Sequence, residues 1–337
     1  MSEILISRSS FNANVEYFGS IVGKEKICIA LKDNAYGHGL DLMALLAIDA
    51  GIKHCFVKNE LEALSALAYS FETVLVLYPE KYTILDDRVV YAINTIDNID
   101  AIPSESKVEL KIDTGMSRSG ITINDISLVI SKIHTNRLSL HGIFTHFASA
   151  DSNPYFFTEQ LNKFEKIVTS LQKTQAPNVR YHCCNTSATT TLQSDRFDLY
   201  RVGIGLYGYH PNLNPISELR PVMSVYADRI SSRVLNKGDR VGYGSLGFEI
   251  EESAIVISNY DMGYGDGLPR LDQSNEFSFC HGSRVLGCIS MDSFSTYGDS
   301  KRICVIEDAD KLARYKNTIS YEILTSMKAE IKRTIVE

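Results

Sequence analysis

Residues 27–40 read ICIALKDNAYGHGL. Five apolar residues, Ile27 to Leu31, make a short buried strand that ends on a lysine. A polar, glycine-bearing turn with Tyr36 and His38 follows. Then comes DLMALLAIDAG, apolar at helical spacing and stopped by Gly51. This is one strand–turn–helix unit with an ammonium group at the tip of its strand.

The unit repeats along the chain. Strand-like runs recur at HCFVK, TVLVLY, VVYAI, VELKID, LHGIFTHF, VRYHCCN and LYRVGI, and with the opening strand they make eight by about residue 204. Helical patterns such as ELEALSALAYSFE, NDISLVISKIHTN and FTEQLNKFEKIVTSLQK fill most gaps. The link from VVYAI to VELKID is the weakest, with only IDNIDAI available for a helix. Regular β/α alternation implies a parallel sheet with right-handed crossovers, and eight units over about 200 residues have the size of a closed (β/α)8 barrel. An open doubly wound sheet is the alternative. From about Arg220 short β-prone runs punctuated by glycine take over: PVMSVYADRISSRVLNKGDRVGYG, SAIVISNYDMGYGDG, EFSFCHGSRVLGCISMDSFSTYG and RICVIED. The sequence therefore predicts a barrel over 1–218, its first few residues open to joining the second domain, and a mainly antiparallel β domain over 219–337.

Bulk composition narrows the function. A 337-residue chain with 44% hydrophobic and 22% charged residues reads as an ordinary soluble protein. A net charge of −7 argues against nucleic acid or an anionic membrane as partner. No apolar run approaches the ~20 residues of a membrane span, and MSEILISRSS has no signal-peptide pattern. Seven cysteines with no CxxC pair, several inside apolar runs, fit a reducing cytoplasm.

The unusual polar residues fall at strand ends. Lys32 ends the first barrel strand, Lys111 lies late in the fifth, and His146 ends the sixth. Asn185 and Thr186 end the seventh, and Arg201 and Gly203 lie on the eighth. Barrel enzymes build their sites at the carboxyl ends of the strands, so these side chains would converge on one mouth. Each alone has a plain explanation: a terminal lysine snorkels, and a strand histidine is a satisfied core residue. Five strands with such residues at the same end of one barrel are harder to explain that way. Burial and the neighbouring cations Lys111, Arg118 and Arg201 favour a neutral amine, the form that condenses with a carbonyl. Such a lysine suits a sugar aldolase or a pyridoxal phosphate enzyme. The glycines of RVGIGLYG could hold a phosphate on backbone N–H groups. No Walker motif or helix-opening GxGxxG is present, so nucleotide binding is not favoured.

ALKDNAYGHG, LKIDTGMSRSG, FTHFASAD, RVGIGLYG, GYGDGLPR, ISMD and the final ISYEI occur in an order and at spacings that closely resemble the alanine racemase family, over nearly the whole chain. The resemblance implies a fold-type III pyridoxal 5'-phosphate enzyme, a homodimer of barrel plus β domain that interconverts L- and D-alanine and supplies D-alanine for cell-wall peptidoglycan. Lys32 would carry the cofactor and act as one base; Tyr264 would be the second, reaching the site of the partner subunit. Tyr36, Thr186, Ser187, Gly203, Ile204 and Tyr321 would contact the cofactor phosphate, Asn185 would also bind the cofactor, and Arg201 would face the pyridine nitrogen. His146 would pack on the ring and link Tyr264 to Arg201. Arg118 and the N–H of Met291 would take the substrate carboxylate, with Lys111 resembling a lysine that many members carry as a carbamate.

The chain also departs from the family pattern. Asp33 replaces the usual alanine, Ser119 a usual leucine, and CCNTSA stands for ANSA. The segment after Asp292 and the tail after Tyr321 are abbreviated. Three other readings share the scaffold: a serine or broad-specificity racemase, a barrel-type decarboxylase, and a non-catalytic pyridoxal phosphate carrier. Tyr264 and SMD speak for racemisation, and the complete β domain speaks against a mere carrier.

Overall fold

The computed structural model describes residues 1–174, 179–211, 216–243, 247–272 and 277–337. Gly244 and Glu276, at the ends of two of the β-prone runs, lie outside the described residues. The chain divides into two compact units. One comprises Met1–Ser10, Tyr36–Gly39 and Pro221–Glu337, and the other Phe11–Ala35 and Leu40–Arg220. The first strand, β1 (Glu3–Ser7), belongs to the former.

The larger unit is an eight-stranded parallel barrel. Its strands are β2 (Ile27–Ala30), β3 (His54–Val57), β4 (Thr73–Val76), β5 (Val89–Ile93), β6 (Lys107–Lys111), β7 (Ser139–Phe144), β8 (Arg180–His182) and β9 (Tyr200–Val202), in the sheet order β8-β7-β6-β5-β4-β3-β2-β9. The two ends of that path are joined by single hydrogen bonds, Asp198 N–H to Tyr181 O (3.0 Å) and Arg201 N–H to Cys184 O (2.9 Å), so the barrel is nearly closed rather than open. Strands β2, β4 and β5 are buried at every position, which explains their continuous apolar runs.

Helices cover most crossovers: Leu40–Asp49, Glu60–Ala66, Ile126–Thr135 and Pro154–Thr174. The link flagged as weak holds only a 3-10 turn, Ile99–Ala101. A further helix, Arg8–Val22, was not anticipated. It buries Phe11, Asn14, Val15, Phe18 and Val22 on one face. The buried Asn14 amide donates to Leu206 O (3.1 Å) and Arg220 O (2.9 Å) and accepts from Arg220 N–H (2.8 Å).

The smaller unit is mainly antiparallel. Its main sheet runs β14 (Phe294–Tyr297), β13 (Ile255–Tyr260), β10 (Met223–Leu235), β1 and β16 (Lys332–Val336), with β15 (Arg302–Ile306) also on β10. Among the described residues of this unit, only β1 and β16 pair in parallel. The 13-residue β10 bends at bulges near Val225 and Arg229, so that its first half serves β1 and β15 and its second half serves β13. A ribbon of β11 (Arg240–Val241) and β12 (Phe248–Glu249) and two short helices, Ala309–Tyr315 and Ser320–Ser326, complete it. Among the described residues no helix is long and apolar enough to cross a membrane.

Candidate active site

The β2 tip does something rare. Leu31 N–H still donates to Phe56 O (2.9 Å), but Asp33, Asn34, Ala35 and Tyr36 then lie at φ 53°, 53°, 53° and 50°. Left-handed backbone costs L-residues roughly 1–2 kcal/mol each, so the turn needs support. Ala35 N–H donates to Leu31 O (2.8 Å), Asp33 N–H to Glu62 Oε1 (2.6 Å), and Leu40 N–H to Asn34 Oδ1 (2.9 Å). Lys32, at the head of this turn, places Nζ 3.3 Å from Asp33 Oδ2, and Asp33 Oδ1 lies 3.1 Å from Lys58 Nζ. Burial opposes the charge on Asp33, yet Lys58 and Lys32 outweigh it and hold this carboxyl below its usual pKa.

Lys111 ends β6, and the chain doubles back. Ile121 N–H donates to Lys111 O (2.8 Å) and Asp113 N–H to Ile121 O (3.0 Å), which returns Arg118 and Ser119 to the strand tip. Lys111 Nζ donates to Ser119 Oγ (2.6 Å) and lies 5.8 Å from the centre of the Tyr78 ring. Burial first, then Arg118 and Arg201, push its pKa down to about 8. Arg118 itself is exposed.

His146 lies two residues beyond β7 rather than at its end. Burial, then Arg201, Arg118, Lys111 and Lys32 in that order, lower its pKa to about 3. The charges of all four cations therefore act on this one imidazole. Asn185 caps the helix Thr186–Leu192, its Oδ1 accepting from Ala188 N–H (3.0 Å), so it too lies past its strand. Thr186 and Ser187 are buried in the first turn, and Thr186 Oγ1 accepts from Gly205 N–H (3.2 Å). That bond ties the hydroxyls to the Gly203–Tyr209 turn, where Leu206 N–H returns to Gly203 O (3.0 Å) and Tyr207 N–H to Ile204 O (3.1 Å). Arg201 is only 4% exposed. Its Nη1 donates to His182 Nδ1 (2.5 Å) and its Nη2 to Thr145 O (2.5 Å). The imidazole that holds Arg201 is thus His182, on the strand completing the barrel, where the sequence reading had assigned His146.

The remaining candidates lie in the β unit. Tyr36 and Tyr321 set their rings 5.4 Å apart at 57°. Tyr264 opens a 3-10 turn, Tyr264–Asp266, whose preceding Gly263 donates N–H to Asp266 Oδ2 (2.9 Å). Tyr264 N–H donates to Ser290 O (3.1 Å) and Gly265 N–H to Met291 O (2.8 Å). A Cβ on Gly263 would meet Met291 O at 2.2 Å, so only glycine allows the two turns to approach this closely. Tyr264 and Met291 are thereby neighbours, both well exposed.

Sequence reasoning missed the charges beneath the mouth. Glu109 is fully buried in β6, ion-paired to Arg180 and 2.8 Å from His182 Nε2. The signal was present: Glu109 and Lys111 alternate in VELKID and so share the inward face.

Residues 6–211 match the family model described as alanine racemase, N-terminal domain, and residues 222–335 the one described as alanine racemase, C-terminal domain. The chain is 38% identical to the alanine racemase of Nitratiruptor sp. over 345 residues and 35% identical to that of Campylobacter jejuni subsp. doylei over 337, with all of each chain covered. Among solved structures it resembles alanine racemase from Acinetobacter baumannii (25% identity, TM-score 0.83, 100% of this chain and 99% of that one). It also resembles that from Bartonella henselae with covalently bound pyridoxal phosphate (25%, TM-score 0.83, 99% of each). With a family model matching each half of its length and full-length relatives at 35% and 38% identity, the chain belongs to the alanine racemase family of isomerases.

Proposed function

We propose that this protein is a pyridoxal 5'-phosphate-dependent racemase that interconverts L- and D-alanine with Lys32 and Tyr264 as its two bases. The observation that carries the reading is the convergence of the charges of Lys32, Lys111, Arg118 and Arg201 on His146, together with the buried Thr186 and Ser187, the former bonded to the Gly205 N–H of the glycine-rich turn. An amine, a buried guanidinium, paired hydroxyls and a glycine-rich turn are the donor set that a phosphorylated pyridine aldehyde requires. Bound there, the cofactor supplies the carbonyl for the substrate amine and a ring that accepts electron density from the α-carbon.

The chain's own groups do the rest. Lys32 holds the cofactor and moves a proton at one face of the α-carbon, while the Tyr264 hydroxyl serves the opposite face; inversion needs both. Thr186, Ser187, Gly203, Ile204, Tyr36 and Tyr321 hold the phosphate, with Asn185 fixing the helix that carries the hydroxyls. Arg201 would hold the ring nitrogen. A guanidinium is a permanent cation and keeps that nitrogen unprotonated, which disfavours transamination and suits simple proton exchange. His146 would help to hold the ring. Arg118 and the Met291 N–H bind the substrate carboxylate. Lys111, with a pKa near 8, has the neutral amine needed to take up carbon dioxide as a carbamate and so orient Arg118. D-alanine for peptidoglycan in the cytoplasm is the product's use on this reading.

Purified protein with added cofactor, offered L-alanine, L-serine and a panel of other L-amino acids, should produce the D-form fastest from alanine. Serine as the preferred substrate would replace this assignment with serine racemase. Borohydride should fix the cofactor on the peptide containing Lys32. The active form is a homodimer with Tyr264 acting in its partner's mouth. Lys32→Ala and Tyr264→Phe, each inactive alone, should recover about a quarter of wild-type activity per site after random subunit exchange. No recovery in verified mixed dimers would place both bases within one subunit.

A further inference from the structure

Barrel interiors of this kind are ordinarily filled with branched apolar side chains. Here the interior holds a row of charge instead. Glu109, the one fully buried carboxylate among the described residues, is ion-paired with Arg180 Nε and lies 2.8 Å from His182 Nε2. Arg180 Nη1 reaches on to Thr73 Oγ1 (3.1 Å). On its other side, His182 Nδ1 meets Arg201 Nη1 at 2.5 Å. A guanidinium only donates and an ionised carboxylate only accepts, so the bonding has one solution: Nδ1 accepts from Arg201, and Nε2–H donates to Glu109. Phe144 braces the row. His182 stacks on its ring at 5.0 Å and 10°, and the Arg201 Cζ lies 5.0 Å from its centre.

Space has been made for the carboxylate. Glu109 faces Gly142 across the β6–β7 ladder, and a Cβ there would meet Glu109 Oε1 at 2.6 Å. Burying ions in a barrel core is expensive, and an apolar core of equal volume often stabilises as well or better. Stability alone therefore does not explain the row. Burial works against the charge on Glu109, but His182 and Arg180 outweigh it and bring its pKa down to about 2; burial leaves His182 neutral, at about 4.

We propose that Glu109 is a positioning residue for the reaction: held by Arg180, it fixes His182 as an acceptor and so locks the Arg201 guanidinium against the cofactor ring nitrogen. The inference rests on the reading of Arg201 given above. A glutamine at 109 has one oxygen for two donors, Arg180 Nε–H and His182 Nε2–H, and turns its NH2 on the other, so the row breaks at one end.

The test uses holoenzyme labelled with 15N-histidine. In the wild type His182 should show an N–H-type Nε2 and an acceptor-type Nδ1. A proton on Nδ1 would overturn the inference with no variant needed. In Glu109→Gln the His182 signals should shift or split, and kcat should fall about tenfold or more, as loss of a positioning partner does. KM for alanine should stay within about twofold, because the carboxylate-binding groups are untouched. The absorbance of the bound cofactor should move in the direction produced by Arg201→Lys. Gly142→Ala, which keeps every polar group but displaces the carboxylate, should give the same signature and serves where Glu109→Gln does not fold. If Arg201→Lys alters the absorbance while both other variants leave absorbance and His182 signals at wild type, Glu109 has no positioning role and the reading of Arg201 stands. If Arg201→Lys itself leaves the absorbance unchanged, the reading of Arg201 falls and takes the inference with it.

Discussion

Lys32 and Lys111 each sit at the tip of a strand in the same barrel, yet their surroundings differ in kind. Lys32 heads a left-handed turn and has a carboxylate beside it, Asp33, at 3.3 Å. Lys111 ends a regular strand and donates to a neutral hydroxyl, Ser119, and Arg118 and Arg201 oppose its charge more strongly than Asp113 supports it. One amine has a carboxylate in ion-pair contact; at the other, burial and cations outweigh the acidic Asp113. Residue type alone does not decide what a lysine can do; the charges and hydroxyls that the following loop brings back to it do.

The largest expected effect separates the two lysines outright. Lys32→Ala should abolish covalent cofactor attachment and lower the rate of D-alanine formation by about a thousandfold or more, since both an anchor and a base are lost. Lys111→Met should retain the cofactor and lose activity mainly through a raised KM for alanine, as expected when the group that orients Arg118 is removed. Mass spectrometry after borohydride treatment and steady-state kinetics distinguish the two. Equal losses in kcat from both variants would erase the difference in role.

A second effect, of a few kcal/mol, sharpens the contrast through stability. Lys111 has a pKa of about 8 in the fold against 10.5 for an ordinary lysine. Between those values the unfolded chain binds more protons, so stability rises with pH across that window and the cost of the charge is full below pH 8. That difference corresponds to about 3 kcal/mol at most. With carbon dioxide excluded, Lys111→Met should therefore melt several degrees higher than wild type at pH 7, and the gap should close as pH rises from 8 towards 10.5. A variant no more stable than wild type at pH 7 would mean that the Lys111 charge is well solvated.

What the sequence could and could not disclose follows the same division. The eight strands were legible because each is a short apolar run with a period-two or continuous pattern, and their polar ends mark the mouth. Helix Arg8–Val22 carries a readable stripe, Phe11, Val15, Phe18 and Val22, but precedes the first barrel strand and lay outside the β/α count. The pairing of β1 with Met223–Tyr226 joins residues more than two hundred apart and has no local signal. Nothing in DNAY announces four consecutive positive φ angles, since alanine and tyrosine rarely adopt them; tertiary support from Glu62 and Leu40 imposes the turn. Histidine spacing likewise could not choose between His146 and His182 as the partner of Arg201, because the choice depends on which strand closes the barrel.

The smallest effect bears on why Lys32 differs from Lys111 at all. Asp33 has φ 53°, a conformation that asparagine and aspartate tolerate better than alanine. Its carboxylate touches Lys32 and Lys58, but about a third of the side chain is exposed, so water and salt screen both pairs. Asp33→Asn keeps the backbone preference and removes the charge. It should cost about 0–1 kcal/mol of stability, an effect that fades in high salt, and shift activity only a few-fold. Asp33→Ala removes both and should cost about 1 kcal/mol more, independently of salt, because the left-handed turn loses its tolerant residue. Denaturant titrations of the three proteins at low and high salt separate the charge from the backbone contribution. If asparagine and alanine are equally destabilising, the residue at 33 is there for its charge alone. If Asp33→Asn lowers the rate more than about tenfold, the carboxylate takes part in handling the Lys32 proton, and the counter-ion that distinguishes the two strand tips is part of the chemistry rather than of the scaffold.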